Sequence, residues 1–391
     1  MKVLEINSVC GIRSTGRICT DLADILKENG HGCKIAYGRE TAPEKYKDIS
    51  YRIGSDAGVK LHALKARLFD SAGFGSKKAT ERLIEKIKEY DPDIIHLQNI
   101  HGYYIDIDIL FNYLAAADKP IVWTLHDCWA FTGHCSYFTF ANCERWKNGC
   151  FDCPQKKSYP SSLLMDRSKQ NWIKKKELFT GVKNMTVVTP SKWLAELAGK
   201  SFLGKFPVKV INNGIDTEVF KPTCGDFRAA YGLENKKIIL GVASVWDKRK
   251  GLDDFIKLAG ITDDNYVIVL VGVNEKQKNT LPGNIIGISG TNNTAELAEI
   301  YTAADVFVNF TYEDNYPTVN LEAQACGTPV ITYKTGGSPE STDPCGVLPQ
   351  GDISGAAGLI EKSDTLKILP PPEKKAQYGK YIKLYEELTG K

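Results

Sequence analysis

The stretch 306–340, VFVNFTYEDNYPTVNLEAQACGTPVITYKTGGSPE, constrains this chain more than any other part of it. Its first apolar run, Val306–Asn309, reads as a buried strand, and 311–317 reads as a polar loop. A helix is expected from about Thr318, a Gly-Thr-Pro stop ends it, and a second apolar strand runs into a Gly-Gly turn. Pro317 and Thr318 suit a helix start, since a first-turn proline gives up an N–H that would have no helical partner. That start puts unpaired N–H groups and the positive end of a helix dipole beside Glu313 and Asp314. Glu322 follows one turn into the helix, eight residues after Asp314. Open α/β sheets bind nucleotides and phosphates in such a strand–loop–helix crevice. The plainer alternative is an ordinary crossover with solvated acids.

At 391 residues the chain exceeds one typical core and predicts two domains. Its 42% hydrophobic and 25% charged residues are ordinary for a soluble globular protein, and no run of 18 apolar residues predicts a membrane span. MKVLEINSVCG reads as a strand and a turn rather than a signal peptide, so the cytoplasm is the expected compartment. The net charge of +3 is uneven: residues 1–220 carry 32 Lys and Arg against 25 Asp and Glu, while the remainder carries 18 against 22. A mildly basic first half suits an anionic membrane surface or a phosphorylated acceptor, and equally a solvated surface.

The first half alternates strands (2–7, 33–37, 94–97, 121–125) with helices, which predicts a parallel sheet. Gly11 and Gly16 lie in a strand–glycine loop–helix turn without the spacing of a dinucleotide fingerprint. In VKLHALKARLF, residues 59–69, Leu61, Leu64 and Leu68 share one face, a stripe that suits either core packing or a membrane surface. HLQNIHGYY sets His96, Asn99, His101 and Tyr103 after one strand, and TLHDCW sets His126 and Asp127 after the next, positions that face a ligand crevice. Five of the eleven cysteines then fall within 128–153. Cys150 and Cys153 have zinc-knuckle spacing, and Cys135 and Cys143 would complete a structural, tetrahedral zinc site; the alternative is unligated thiols. The lysine-rich helix at 168–179 (Lys174, Lys175, Lys176) reads as a solvated face.

A second alternation starts at 208–211, with strands at 238–242, 267–271 and 285–288. In ASVWDKRKGLDDF, Lys248, Arg249 and Lys250 crowd a turn that opens a helix, a setting that favours an anion. The prolines of KILPPPEKK mark a linker before a last helix at about 374–388.

The stretch 306–340 resembles the signature of family 4 glycosyltransferases, retaining enzymes of the two-domain GT-B fold. That signature pairs an acid with a glutamate eight positions on, then Ala-x-Ala-Cys-Gly-x-Pro-Val and Gly-Gly-x-x-Glu. Here it is Asp314, Glu322, Ala323 to Val330 and Gly336 to Glu340, with Glu313 beside the first acid, so either carboxylate can take the first role. Asn213-Gly214-Ile215-Asp216 is similar to the opening of the family's second domain, and 128–157 is similar to an insertion in bacterial capsule and exopolysaccharide members of colanic-acid type. The resemblance implies two Rossmann-like parallel-sheet domains facing a cleft. An acceptor domain would span 1–205, a nucleotide-sugar domain 206–371, and a C-terminal helix, 372–391, would cross back to the first.

It further implies transfer of a sugar from a nucleotide-diphosphate donor to a glycan or lipid-linked acceptor, in polysaccharide synthesis at the inner membrane face. Lys250, with Arg249 or Ser244, and the backbone of Tyr316, Pro317, Thr318 and Val319 would hold the diphosphate. Asp314 would orient the sugar, Glu322 the ribose, and Gly16 and Thr291 would border the donor. His126 would approach donor sugar and acceptor, with His101, Tyr103 and Asp127 on the acceptor side. No Asp-x-Asp motif stands where a catalytic metal is expected, so fixed cations and N–H dipoles are expected to stabilise the leaving group. No catalytic cofactor and no nucleic acid are expected. Two other readings are a sugar-nucleotide epimerase or hydrolase of the same fold and a zinc-dependent nucleic-acid or partner module.

Overall fold

The computed structural model describes all 391 residues, and the chain divides into two compact units: 1–212 with 377–391, and 213–376. The first unit is built on seven strands: β1 (Lys2–Asn7), β2 (Gly32–Tyr37), β3 (Ser50–Arg52), β4 (Ile94–Leu97), β5 (Ile121–Thr124), β6 (Met185–Thr189) and β7 (Val208–Val210). They lie in the order β3-β2-β1-β4-β5-β6-β7, and every pairing is parallel. The second has six: β8 (Lys237–Val242), β9 (Tyr266–Val271), β10 (Ile285–Ile288), β11 (Val306–Asn309), β12 (Val330–Tyr333) and β13 (Val347–Leu348). Their order is β10-β9-β8-β11-β12-β13, again all parallel. The central strands β4, β5, β6, β11 and β12 are buried along their whole length, as expected where helices cover both faces of a parallel sheet.

Each order reverses once, between β1 and β4 in the first sheet and between β8 and β11 in the second. Helices leave on opposite faces at such a reversal and open a crevice at the strands' C-terminal ends. The segments that follow β4 and β5, and those that follow β8 and β11, are those singled out above.

The helix Lys374–Thr389 leaves the second unit beside an Ile215–Glu373 bridge and packs its Tyr378, Tyr381 and Tyr385 on the first sheet, against Val3, Ile94, Val122 and Val188. There the Tyr385 hydroxyl meets His96 Nδ1 at 2.7 Å, and that of Tyr381 meets Thr124 at 3.0 Å. Of the three strand-end histidines, His96 is thus a packing residue inside the sheet, fully buried.

Three sequence readings change. Val208–Val210 pairs with β6 as the edge of the first sheet instead of opening the second, and the unit division falls after Asn212. A helix the sequence left unread, Ile353–Ile360, forms behind an Asp352 cap on the Gly355 amide (2.8 Å); its glycines at 355 and 358 lower its propensity and hide it. Lys175 is not on a solvated face. It shares the inward side of the helix Ser168–Thr180 with Asn171, Trp172 and Phe179, at the spacing of successive turns. Its ammonium, brought down to about 7 by burial, donates to the carbonyls of Trp129 (2.8 Å) and Thr132 (3.1 Å).

Candidate functional site

At the reversal in the second sheet, two loops are tied into one surface. The turn Lys248–Lys250 follows β8, and Asp247 caps it by accepting from the Lys250 amide at 3.0 Å. Gly251 ends the turn with φ +73°, and a Cβ there would lie 2.2 Å from the Phe310 carbonyl oxygen, so only glycine lets the two loops approach this closely. The Tyr312 amide donates to the Arg249 carbonyl (2.7 Å), and the Arg249 side chain donates to the Glu313 carbonyl (2.9 Å). This lattice brings Lys250 Nζ within 2.5 Å of Asp314 Oδ2, with both side chains mostly covered.

Behind that pair the helix Thr318–Ala325 begins. Pro317 stands at its cap position and carries no side-chain acceptor; its carbonyl accepts from the Asn320 amide at 3.2 Å, which leaves the amides of Thr318 and Val319 without a side-chain cap. Glu322 is buried on this helix and accepts from the Tyr301 hydroxyl at 3.0 Å. The backbone is held by Asn320, whose amide accepts from Asn309 (2.8 Å) and donates to Ser341 (2.9 Å) and Ser338 (3.2 Å). β11, the helix and the 338–341 turn are thereby fixed to each other. The structure thus brings together Arg249, Lys250, Glu313, Asp314 and the 316–319 backbone. Ser244 is exposed past the end of β8, and Thr291 is half-buried past the end of β10.

At the reversal in the first sheet a second polar cluster forms, and most of it lies far apart in sequence. Gln98, just after β4, is buried and joins Glu5 of β1 to His126 past β5: its Nε2 donates to Glu5 (3.0 Å) and its Oε1 meets His126 Nε2 at 2.6 Å. With the amide nitrogen on Glu5, the oxygen faces the imidazole, and in this arrangement His126 carries its proton on Nε2. Burial pushes Glu5 up to about 8 and His126 down to about 4, so both are neutral at neutral pH.

Beside them His101 Nε2 meets Asp127 Oδ2 at 2.8 Å, and its Nδ1 meets the Tyr159 hydroxyl at 3.3 Å. Burial opposes ionisation of Asp127, but His101 and the Trp129 amide outweigh it and hold the carboxyl below its usual range. Gln98, Asn99, His101, His126, Asp127 and Trp129 line one pocket. Tyr103 packs edge-on against Tyr159 and His62, and Gly16 packs against Val9 while its carbonyl closes the loop by accepting from the Gly11 amide (2.9 Å).

Sequence reasoning missed Glu5, Gln98, Tyr159 and Asn320. A lone acid inside the apolar strand KVLEIN was the one available signal for Glu5. The four cysteines expected to hold zinc line one pocket. Cys135 and Cys153 are hydrogen-bonded partners, and that bond, ahead of the nearby His134, lowers Cys153 to about 7. Cys150 Sγ instead accepts from the Gly133 amide at 3.2 Å. No three ligand-type side chains converge as a metal-holding group, so the expected tetrahedral arrangement is not formed.

The family model for Glycosyltransferase Family 4 matches residues 15–219, and that for Glycosyl transferases group 1 matches 225–380. WcaC of Escherichia coli, named as a colanic acid biosynthesis glycosyl transferase, is 26% identical over 317 residues, which cover 77% of this chain and 73% of WcaC. A D-inositol 3-phosphate glycosyltransferase of Corynebacterium jeikeium is 27% identical over 219 residues, 46% of this chain and 52% of that protein. Among solved structures, sucrose-phosphate synthase from Thermosynechococcus elongatus superimposes with a TM-score of 0.72 at 16% identity, covering all of both chains. Anabaena Alr3699/HepE in complex with UDP superimposes with a TM-score of 0.64 at 15% identity, covering 100% of this chain and 98% of that one. At these identities the structural likeness establishes the fold, the two-domain GT-B architecture.

Proposed function

Because this chain belongs to glycosyltransferase family 4, we propose that it moves a sugar, with retention, from a nucleoside-diphosphate sugar held by its second unit to an acceptor hydroxyl. The acceptor is a glycan or lipid-linked glycan of surface-polysaccharide synthesis, and the first-unit pocket is its candidate seat. Membership of this family favours transfer over an epimerase or a nucleic-acid module. The observation that carries the reading is the Lys250–Asp314 pair, fixed at the sheet reversal beside a helix start that has no side-chain cap.

Departure of a nucleoside diphosphate builds negative charge on the leaving oxygen. A cation already oriented by Asp314, together with first-turn amides, stabilises that charge without reorganising as the bond breaks. Asp314 Oδ1 accepts from the Asn315 amide (2.9 Å) and has a further lone pair for the donor sugar's hydroxyls, and Glu322, turned by Tyr301, accepts from the ribose. Neutral His126, its tautomer set by Gln98, approaches sugar or acceptor through polar contacts rather than charge. The likeness to a structure solved with UDP supports a nucleotide donor. No helix is long and apolar enough to cross a membrane, so contact with a bilayer would be peripheral.

The test is thermal unfolding with UDP, GDP, ADP and NAD⁺, for the wild type and Glu322→Ala. A ligand at a hundred times its Kd adds about 2.7 kcal/mol. One diphosphate is expected to stabilise the wild type and not the variant. A response to NAD⁺ alone, or to none of the four, would remove the donor site.

A further inference from the structure

The leucine stripe of the helix Asp56–Phe69 is turned the wrong way for core packing. At 100° per residue its inward side is His62 and Ala66, both buried, and opposite them lie Leu61 and Leu64, more than half exposed, with Leu68 between. Lys60 and Arg67 flank that apolar strip on one side and Lys65 on the other, all exposed. The strip is widened by a segment from nearly a hundred residues away. The Leu163 amide donates to the Arg67 carbonyl (2.6 Å) and that of Met165 to the Leu68 carbonyl (3.3 Å), which fixes Leu163, Leu164 and Met165, exposed by 64%, 68% and 43%, beside the helix end.

This surface is rigidly built. Asp70, buried in the left-handed C-cap of the helix, accepts from the Arg167 amide (2.7 Å), pairs with His134 and, through its carbonyl, accepts from Asn171 (2.8 Å). Leaving five large apolar side chains in water on a fixed frame, with Leu68 half-buried among them, is costly unless something covers them. Its charge names the cover. Residues 56–69 carry three cations against one acid, and 155–169 carry four against one, so this face is more basic than the whole chain.

We propose that this face, the outward side of the helix 56–69 with the segment 163–165, seats the protein on an anionic lipid bilayer. The leucines and Met165 enter the acyl boundary, and the lysines and arginines meet lipid phosphates. Four residues before Leu163, Tyr159 contacts His101 and so joins the face to the polar pocket. An acceptor carried by the bilayer would thus meet His101 and Asp127. This last step rests on the reading of the acceptor as lipid-linked, whereas the docking itself does not.

The experiment is co-sedimentation of the full chain with vesicles of phosphatidylcholine, alone or mixed with phosphatidylglycerol. Three proteins are compared: wild type, Leu64→Asp/Leu164→Asp, and the charge-reversed Lys65→Glu/Arg67→Glu, changed at two exposed positions. Wild type is expected to bind the mixed vesicles, more weakly at high salt, and each variant to bind about tenfold more weakly. Stabilisation by the diphosphate is expected to be unchanged in all three. Wild type that stays in the supernatant, binds neutral vesicles equally well, or loses nothing in the charge-reversed variant overturns the proposal. A dimer broken by the same changes, without vesicle binding, overturns it in favour of a second copy of the chain. Vesicle binding without any nucleotide response would leave this face standing and remove the transferase donor site instead.

Discussion

The two sheet reversals use the same topology for different kinds of polar site. In the second unit the charged groups come from two short, contiguous loops and meet each other directly as Lys250 and Asp314. In the first unit the groups come from β1 and from the ends of β4 and β5. Those of the relay, Glu5, Gln98 and His126, are neutral, because burial moves the Glu5 carboxyl up and, outweighing the Asp127 carboxylate, moves the His126 imidazole down. A site that must bind a diphosphate needs standing charge. A site that must discriminate among hydroxyls needs fixed donors and acceptors, which neutral groups supply without attracting stray ions. The contrast is the basis for the variants that follow.

The largest effect is expected from removing the standing charge. Lys250→Ala should lower kcat/KM by about a hundredfold to a thousandfold, roughly 3–4 kcal/mol of transition-state stabilisation. It also strands Asp314 half-buried, so Asp314→Ala/Lys250→Ala belongs beside it, to separate lost catalysis from an unpaired carboxylate. If the single variant keeps its kcat/KM within threefold, charge is not what this crevice supplies.

The contrast also explains what the sequence could reveal. The second-unit site was legible because its chemistry is local: Asp314, Pro317 and Glu322 are spaced by one loop and one helical turn, and that spacing is visible along the chain. Strand and helix periodicity likewise marked most of the fold, because the central strands are buried on both faces. What stayed hidden depends on long-range contacts. Gln98 becomes notable only when β1 and β5 are placed on either side of β4. Lys175 looks like part of a charge run until Trp129 and Thr132 supply carbonyls to it. The leucine stripe at 61–68 was visible, but no periodicity says whether the apolar or the small side of a helix is turned inward. Val208–Val210 was assigned to the wrong sheet because a three-residue edge strand carries no mark of its partner.

The next largest effect tests whether the first-unit relay is neutral. Glu5 is raised from 4.5 to about 8 in the folded protein. Its contribution is therefore fully present below pH 4.5 and is lost as pH rises through 8, since the unfolded chain releases the proton that the folded chain retains. Between pH 5 and 7 this should cost the wild type about 2–3 kcal/mol of stability. Glu5→Gln keeps the amide contact to Gln98 without a proton to lose. Denaturant unfolding should show the variant matching the wild type near pH 4 and exceeding it at pH 7.5. Parallel curves would mean that Glu5 is ionised, and the contrast between the two reversals would fail.

The smallest effect tests whether neutrality serves orientation. Gln98→Ala removes the acceptor that holds the His126 proton on Nε2, so the imidazole can take either tautomer and turn. About half to nine-tenths of productive orientations would be lost, a fall in kcat of up to about tenfold, roughly 1.4 kcal/mol. Stabilisation by the diphosphate should not change, because none of the charged groups of the second unit is touched. Gln98→Glu sharpens the result. A carboxylate there can still accept from Nε2, but it introduces charge next to Glu5, and it raises the His126 pKa from about 4. If orientation is what matters, Gln98→Glu recovers part of kcat, with an acidic limb in its pH profile displaced upward from the wild type's. If neutrality matters more, Gln98→Glu is worse than Gln98→Ala at every pH above 5. If both variants retain full kcat, the polar relay of the first unit contributes to packing alone, and the discriminating groups must be His101 and Asp127.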